Sequence, residues 1–592
     1  MKKRGNVGHA FSDHIFEERV RKKRGGSFGR PLHLYRLIPL VILLTIFALL
    51  SMRLFTLQVV RASYYSKLSD ANRIRTVLIP APRGIIFDRN GVALVRNIPA
   101  FSILKNGKDI EWLDQEDALK RLTRGESILA TVKREYVYKD LFAHVLGYVG
   151  QVNSDEVLLP DFRDYGLSDF TGRMGLEEKY EKFLHGKNGK QLYEVNAKGA
   201  RVRLLGEEEA IEGAVLKTTL DVNVQKAATK AMEKVDRGAV VVSDPRDGSI
   251  LALYSKPSFD PNLFTRESTY TPVGTYKKKE DILLDGEKFP LLNRVIAGVY
   301  PPGSTYKVVT ALAALSTQKI KKDTEFEDTG VLSIGGSKFG TWNYLESGRT
   351  EGAVDVVKAL VRSNDIFFYQ AAMKTGVDTL HDWSLTLGLG RRTGIDLPGE
   401  VVGTVPDPSW KEENLDEQWY LGDTINMSIG QGYLETTPIQ VNRFTQLMAN
   451  GGILIKPHLI KGDVQIIKKD FIDKDYLEIV REGLKGVCEP GGTGYPLFNF
   501  KVKNDKIKID GLDYVKDASA GANFAHVTMG CKTGTAEAHG TDADPHAWFT
   551  VFAPFYNPEI AITVIVENGG QGSSVAGPIA RDILKEYFGG KK

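Results

Sequence analysis

The chain has 592 residues, 42% of them hydrophobic and 26% charged, an ordinary globular composition long enough for more than one domain. Its net charge of +4 is small for that length and gives no support to a nucleic-acid partner. Two cysteines, Cys488 and Cys531, exclude a disulfide framework or a cysteine-rich metal site; one bridge stays open in an oxidising compartment, and buried free thiols are the expected state.

The first predicted element fixes the compartment. Residues 1–36 form a basic tail that includes Lys2, Lys3, Arg4, Arg21, Lys22, Lys23 and Arg24. An apolar run follows, "LIPLVILLTIFALLSM" from Leu37 to Met52, continuing past Arg53. About 20 apolar residues cross a bilayer, so residues 37–57 are expected to span it, with Arg53 snorkelling near one end. Positive charge is dense before the run and sparse after it, which places the N-terminus in the cytoplasm and the remainder outside. A cleaved signal peptide is disfavoured by the long basic region and the lack of a small-residue cleavage site.

Residues 58–235 mix short strands and helices. "PAPRGIIFDRNGVALVRN" (Pro80 to Asn97) predicts two strands joined at the Asn90-Gly91 turn. "GLEEKYEKFLHG" (Gly175 to Gly186) has a helical period, with Leu176, Tyr180 and Phe183 on one face. Leu216 to Val235 reads as a strand leading into an amphipathic helix. Nothing in this part resembles a catalytic cluster, and it is expected to be a pedestal that lifts the rest off the membrane.

From residue 236 to 592 the texture changes. "GAVVVSDPRDGSILALYS" (Gly238 to Ser255) is a hairpin pattern around a Pro-Arg-Asp-Gly turn. Helices are expected over Ser304–Leu315, Val354–Thr375 and Pro438–Asn450, strands near 527–535 and 546–567, and a last helix over Pro578–Phe588. This order predicts an α+β fold, with helices packed on an antiparallel sheet.

Ser304 follows Pro301, Pro302 and Gly303, a stretch that cannot be mid-helix. Lys307 lies one turn on and faces the same side. The positive end of a helix disfavours an ammonium there, and burial lowers a lysine pKa further. A neutral amine beside a hydroxyl is a base beside its nucleophile. The spacing alone is weak, because Ser102–Lys105 and Ser316–Lys319 share it, and Ser304–Lys307 alone reads equally well as a plain cap. Two further elements add weight. Ser363, Asn364 and Asp365 precede an aromatic run, although they are also good cap residues. Lys532, Thr533, Gly534 and Thr535 fall on an expected strand, where a glycine often marks close approach of another backbone. The similar Lys374-Thr375-Gly376 reads as a glycine C-cap. His539 and His546 lie near Lys532 and are expected at the cleft rim or in packing.

The order Ser-x-x-Lys, Ser-x-Asp, Lys-Thr-Gly is the motif set of penicillin-binding proteins and serine β-lactamases. "NRVIAGVYPPGSTYK", "GIDLPGE", "GDTINMSIGQGYLETTPIQ" and "HAWFTVFAP" resemble the transpeptidase domain of class B penicillin-binding proteins. "PRGIIFDRNG", "HVLGYVG" and "GLEEKYEKFLHGKNG" resemble their pedestal. The Ser-x-Asp form is similar to the elongation-type members, although the stretch between Phe101 and His144 is shorter than their usual head, which bears on head-domain partner contacts.

The resemblance implies a penicillin-binding, serine β-lactamase-like transpeptidase domain that cross-links peptidoglycan stem peptides through an acyl-enzyme on Ser304 and is trapped by β-lactams. Lys307, Ser363, Asp365 and Lys532 would be catalytic, and Asn364, Thr533, Gly534 and Thr535 would bind substrate. A glycosyltransferase of the SEDS family and other elongation-complex proteins would be partners. No cofactor is expected. Some members bind zinc near the site; no His/Cys/Asp cluster lies between Ser304 and Ser363, so none is expected here. A division-type transpeptidase and a non-catalytic scaffold are the alternative readings. The long pedestal disfavours a β-lactamase or antibiotic sensor, and its lack of a glycosyltransferase domain disfavours a bifunctional class A enzyme. How Lys307 stays neutral beside Asp365 is left open by the sequence.

Overall fold

A computed structural model of the chain describes residues 37–590 apart from 106–108, 114, 125, 127, 164, 168, 197–200, 266–269, 504–509, 517–523 and 539–542. The basic tail and His539 therefore lie outside the described residues. Contacts divide the chain into two units, one of residues 1–76 with 192–205 and one of residues 77–191 with 206–592.

The first unit holds the apolar helix α1 (Ile38–Phe55), which continues through a π-helical turn, Thr56–Val60. Together they give 23 residues of mean hydropathy 2.4, none buried, long enough to span a bilayer. The Thr45 and Thr56 hydroxyls each donate to the carbonyl four residues back at 2.7 Å, so neither faces the apolar surroundings unpaired.

In the second unit, the strands Ile86–Phe87, Ala93–Lys105, Asp109–Leu113, Leu129–Tyr136 and Leu216–Lys217 form one sheet. Gly91 takes φ +84° at the expected turn. The predicted helix over Gly175–Gly186 is instead two short helices, Gly175–Lys179 and Glu181–Leu184, broken at Tyr180. Phe183 is 64% exposed, so the buried face is set by Leu176, Glu177 and Leu184. Glu177 explains the break in pattern, because it sits fully buried between two arginines. Its carboxylate accepts from Arg83 Nε at 2.6 Å and from Arg134 Nε at 2.8 Å, and Arg83 also reaches Glu181 at 2.6 Å. Removing one partner of a buried charge cluster leaves the others uncompensated. Glu177→Gln is expected to cost about 3–5 kcal/mol, measured as a lowered denaturation midpoint; an unchanged midpoint would show that the cluster relaxes without it.

The rest of the unit is built on five antiparallel strands: β1 (Gly238–Ser243), β2 (Ile250–Lys256), β3 (Gly530–Ala536), β4 (His546–Ala553) and β5 (Ile560–Val566), in the order β2-β1-β5-β4-β3. The period of two along each strand separates two cores. Val240, Val242, Phe549, Val551, Ile562 and Val564 face one core, and Ala239, Val241, Trp548, Phe552, Ala561 and Ile565 face the other. The helices around the sheet are α2 (Val222–Ala231), α3 (Lys307–Ser316), α4 (Val356–Arg362), α5 (Asp365–Thr375), α6 (Pro438–Ala449), α7 (Lys474–Val487) and α8 (Ala576–Gly590). Helices α2 and α8 pack on one face and α6 on the other; α7 packs against β3 and α4, and α3 packs on α5 and α7. This is the α+β layering expected from the sequence.

Three further expectations are corrected. The helix expected from Ser304 begins as a 3-10 turn, Gly303–Tyr306, and becomes α-helical only at Lys307. The helix expected over Val354–Thr375 is broken at Ser363, which takes φ +52° and ends α4 before Asn364 starts α5. The cysteines are not free thiols: Cys488, just past α7, is bonded to Cys531 on β3, with Cα atoms 5.7 Å apart. The packing of α7 against β3 brings them together.

Candidate active site

The turn bearing Ser304 is seated by the strand beside it. Gly303 has φ +53°, and a Cβ there would lie 2.8 Å from the Thr535 carbonyl oxygen. Only glycine reaches this close in that conformation. Trp548 Nε1 on β4 donates to the Pro301 carbonyl at 3.0 Å, and the Thr305 hydroxyl donates to the Pro302 carbonyl at 2.8 Å. Gly534 completes the seat: a Cβ on it would meet Trp548 Cβ at 2.9 Å and the Pro302 oxygen at 3.2 Å. Its glycine is therefore required on the side of β3 that faces the turn. Gly303 N also donates to the Gly430 carbonyl at 2.9 Å, which brings Gln431 to the cleft.

Behind Ser304, the Lys307 side chain is fully buried. Its Nζ donates to Asp365 Oδ1 at 2.5 Å and to the Ser363 carbonyl at 2.8 Å, and lies 3.3 Å from Ser363 Oγ. The left-handed backbone at Ser363 allows its carbonyl and hydroxyl to reach the same amine. Lys532, also fully buried, donates from Nζ to Ser363 Oγ at 2.9 Å and to the Thr533 carbonyl at 3.0 Å. One hydroxyl thus joins two amines that start 225 residues apart in sequence (532 minus 307).

Burial pushes the Lys307 amine below the usual lysine range, and the Asp365 carboxylate acts in the opposite direction without reversing it. Burial holds Lys532 well below that range, with Lys307 adding to the effect and Asp365 opposing it. Desolvation is thus the effect that favours the neutral amine against the Asp365 carboxylate. Asp365 is itself fixed, its Oδ2 accepting from Trp342 N at 3.0 Å.

A cleft opens over this arrangement. Ser304, Ser363, Asp365, Thr533, Gly534 and Thr535 line it, with Lys307 and Lys532 reaching its floor through Ser363. Thr533 Oγ1 shares a 2.8 Å hydrogen bond with Thr493 Oγ1, and Thr535 Oγ1 accepts from Gly572 N at 3.3 Å. β3 is an edge strand of its sheet, so an extended peptide can align beside it.

Asn364 is the exception among the sequence candidates. It is 2% exposed, its Oδ1 caps α5 by accepting from Phe367 N at 2.9 Å, and its Nδ2 donates to Asp328 Oδ2 at 2.9 Å. It is not among the residues that line the cleft, and its side chain is engaged in capping α5 and in the bond to Asp328. His546 is a packing residue: Nδ1 accepts from Asn568 N at 3.1 Å, and the ring lies edge-on to Tyr300 at 5.4 Å. Sequence reasoning did not single out Trp342, Tyr369, Gln431 or Thr493, which also line the cleft. The glycines around Gln431 and Thr493 were the available signal.

A serine hydroxyl one turn from a desolvated amine, with a second hydroxyl between that amine and another, is an arrangement suited to serine acyl transfer. Residues 238–585 match the penicillin-binding protein transpeptidase domain, and residues 108–218 match the penicillin-binding protein dimerisation domain. The chain is 33% identical to the peptidoglycan D,D-transpeptidase MrdA of Salmonella typhimurium LT2 over 92% of its length and 94% of the relative's. It is 33% identical to that of Escherichia coli K12 over 92% of each chain. The penicillin-binding protein 2 of Helicobacter pylori, solved in complex with MreC, superposes with a TM-score of 0.72 at 28% identity, covering 87% of this chain and 99% of the other. That of Pseudomonas aeruginosa, in complex with WCK 5153, gives 0.68 at 31% identity over 87% and 96%. The chain belongs to the class B penicillin-binding proteins.

Proposed function

We propose that the protein is a peptidoglycan D,D-transpeptidase of cell-wall elongation, with Ser304 as its acylated residue. The single observation that carries this reading is the buried hub in which Ser363 Oγ is shared by Lys307 and Lys532 at the floor of the Ser304 cleft. Ser304 Oγ attacks the carbonyl of the D-Ala–D-Ala bond, and neutral Lys307 takes its proton. The bond to the terminal D-Ala breaks, and Ser363 passes a proton to the departing amine. The amine of a second stem peptide then attacks the Ser304 ester, forming the cross-link and releasing the serine. The backbone N–H groups of Ser304 and Thr535 stabilise the oxyanion. Lys532, Thr533 and Thr535 hold the substrate carboxylate while the stem lies along edge strand β3. A β-lactam acylates Ser304 by the same route and is released slowly.

Residues 58–235 serve as the pedestal and 236–592 as the catalytic domain. Helix α1 anchors the chain once in the cytoplasmic membrane, with the basic tail inside and the cleft outside, as the charge asymmetry supports. A SEDS-family glycosyltransferase supplies the strands to be linked. Solved relatives include the complex with MreC and a peptidoglycan synthase complex that superposes with a TM-score of 0.71 at 29% identity. Depletion followed by microscopy tests the elongation role. Rounded cells are expected, and filaments would assign the protein to division instead.

The pH dependence follows from the Lys307 environment. The attacking serine needs the unprotonated amine, so acylation falls as pH drops through the Lys307 pKa. Asp365 is the group that raises that pKa. Asp365→Asn is therefore expected to move the acid limb of the acylation profile to lower pH, even where its plateau rate is reduced. A limb that stays in place or moves up would show that Lys307 is not the titrating base.

A further inference from the structure

A second pocket in the same unit shares no lining residue with the catalytic cleft. One wall is the turn after Thr386 with Arg391 and Arg392, another is α6 with Arg443, and the third is a strand pair, Leu454–Ile455 with Ile466–Lys468. Gln440 Nε2 pins the first wall by donating to the Arg391 carbonyl at 2.9 Å and the Val402 carbonyl at 2.7 Å. Arg391, Arg392 and Lys468 are exposed at the mouth. The lining includes one carboxylate, Asp382, against these three cations and Arg443.

Arg443 is 3% exposed and is held by carbonyls. Nη2 donates to Gly388 O at 2.6 Å, and Nη1 donates to Thr393 O at 3.5 Å. Gly388, at φ +92°, makes room for it, since a Cβ there would lie 1.8 Å from Nη2. The nearby Glu400 is engaged elsewhere, accepting from Thr393 N, Thr393 Oγ1 and Gly394 N. Among the described residues, Arg443 Nε is buried with no hydrogen-bond partner. Burial pushes its guanidinium down to about 10, with the Glu400 carboxylate opposing the shift and Arg391 adding to it. A buried cation with an unmade donor is costly unless an anion meets it.

We propose that this pocket binds the phosphate or pyrophosphate group of a larger ligand, with Arg391, Arg392 and Lys468 capturing it at the mouth and Arg443 at the base. The excess of cations suits more than one negative charge. Guanidinium forks suit paired oxygens. Leu385, Leu454 and Ile467 give the rest of the ligand an apolar flank.

The test is calorimetric titration of the full-length protein in detergent micelles with pyrophosphate and, separately, with acetate. Pyrophosphate is expected to bind with Kd below about 1 mM and acetate at least about tenfold more weakly. The double variant Arg391→Gln/Arg392→Gln, altered only at exposed positions, should weaken pyrophosphate at least about tenfold and leave fluorescent-penicillin labelling unchanged. Competition by a polyprenyl diphosphate in the same micelles supports a lipid-borne group, and its absence supports a soluble one. No wild-type binding at about 10 mM pyrophosphate, equal binding by the double variant, or equal binding of acetate would overturn the proposal. Penicillin labelling reads the catalytic site separately, so either conclusion can fail without the other.

Discussion

Ser304→Ala is expected to abolish labelling by a fluorescent penicillin and transpeptidation together, by about 10⁶-fold, the scale seen when a catalytic serine is removed. Ser304 is half-buried at the cleft, and the turn around it is held by other groups: Trp548 Nε1 on the Pro301 carbonyl, the Thr305 hydroxyl on the Pro302 carbonyl and Gly303 against β3. Removing one oxygen leaves these in place, so circular dichroism and the melting midpoint should match the wild type. Gel fluorescence after incubation with the labelled penicillin reads the loss. A variant that labels at the wild-type rate would end the assignment of Ser304.

Lys307→Ala should lower acylation by about 10²–10⁴-fold, the usual contribution of a general base. It differs from the serine variant in leaving slow labelling that still falls on Ser304. It also removes the cation from Asp365 and one of the two amines on Ser363. An unpaired buried carboxylate is destabilising, so the melting midpoint should fall as well, and stopped-flow acylation must be compared below that midpoint. Lys307→Arg provides the control. A guanidinium stays protonated and cannot take the serine proton, so retention of charge should not rescue the rate. Rescue by arginine would mean that Lys307 acts as a fixed cation and that the proton goes elsewhere.

Much of this site was legible in the sequence because its parts are local. Pro-Pro-Gly before Ser304, Asn90-Gly91 and the Pro-Arg-Asp-Gly hairpin are turn chemistry, which short-range sterics decide. The β-rich runs of β1 and β2 and the apolar length of α1 are likewise written residue by residue. The features that were missed depend on contacts between distant segments. The helical period runs through Ser363 without a break, and the left-handed turn there is held by long-range partners. Trp342 Nε1 donates to the Arg362 carbonyl, Arg362 Nη1 donates to the Gly491 carbonyl, and Lys307 takes the Ser363 carbonyl. Asn364 reads as both a cap and a substrate group, and its bond to Asp328, brought from a distant strand, is a contact that the sequence does not reveal. The Cys488–Cys531 bond depends on α7 lying against β3. The phosphate pocket draws its cations from three separate segments, none of which stands out alone.

The central claim, that Ser304 is the acylated nucleophile, is tested most directly by digesting the benzylpenicillin-treated protein with trypsin and mapping the adduct by mass spectrometry. The account predicts a penicilloyl group in the peptide Val295–Lys307, fragmenting to Ser304. An adduct on any other residue, or a chain that remains unmodified, would contradict it.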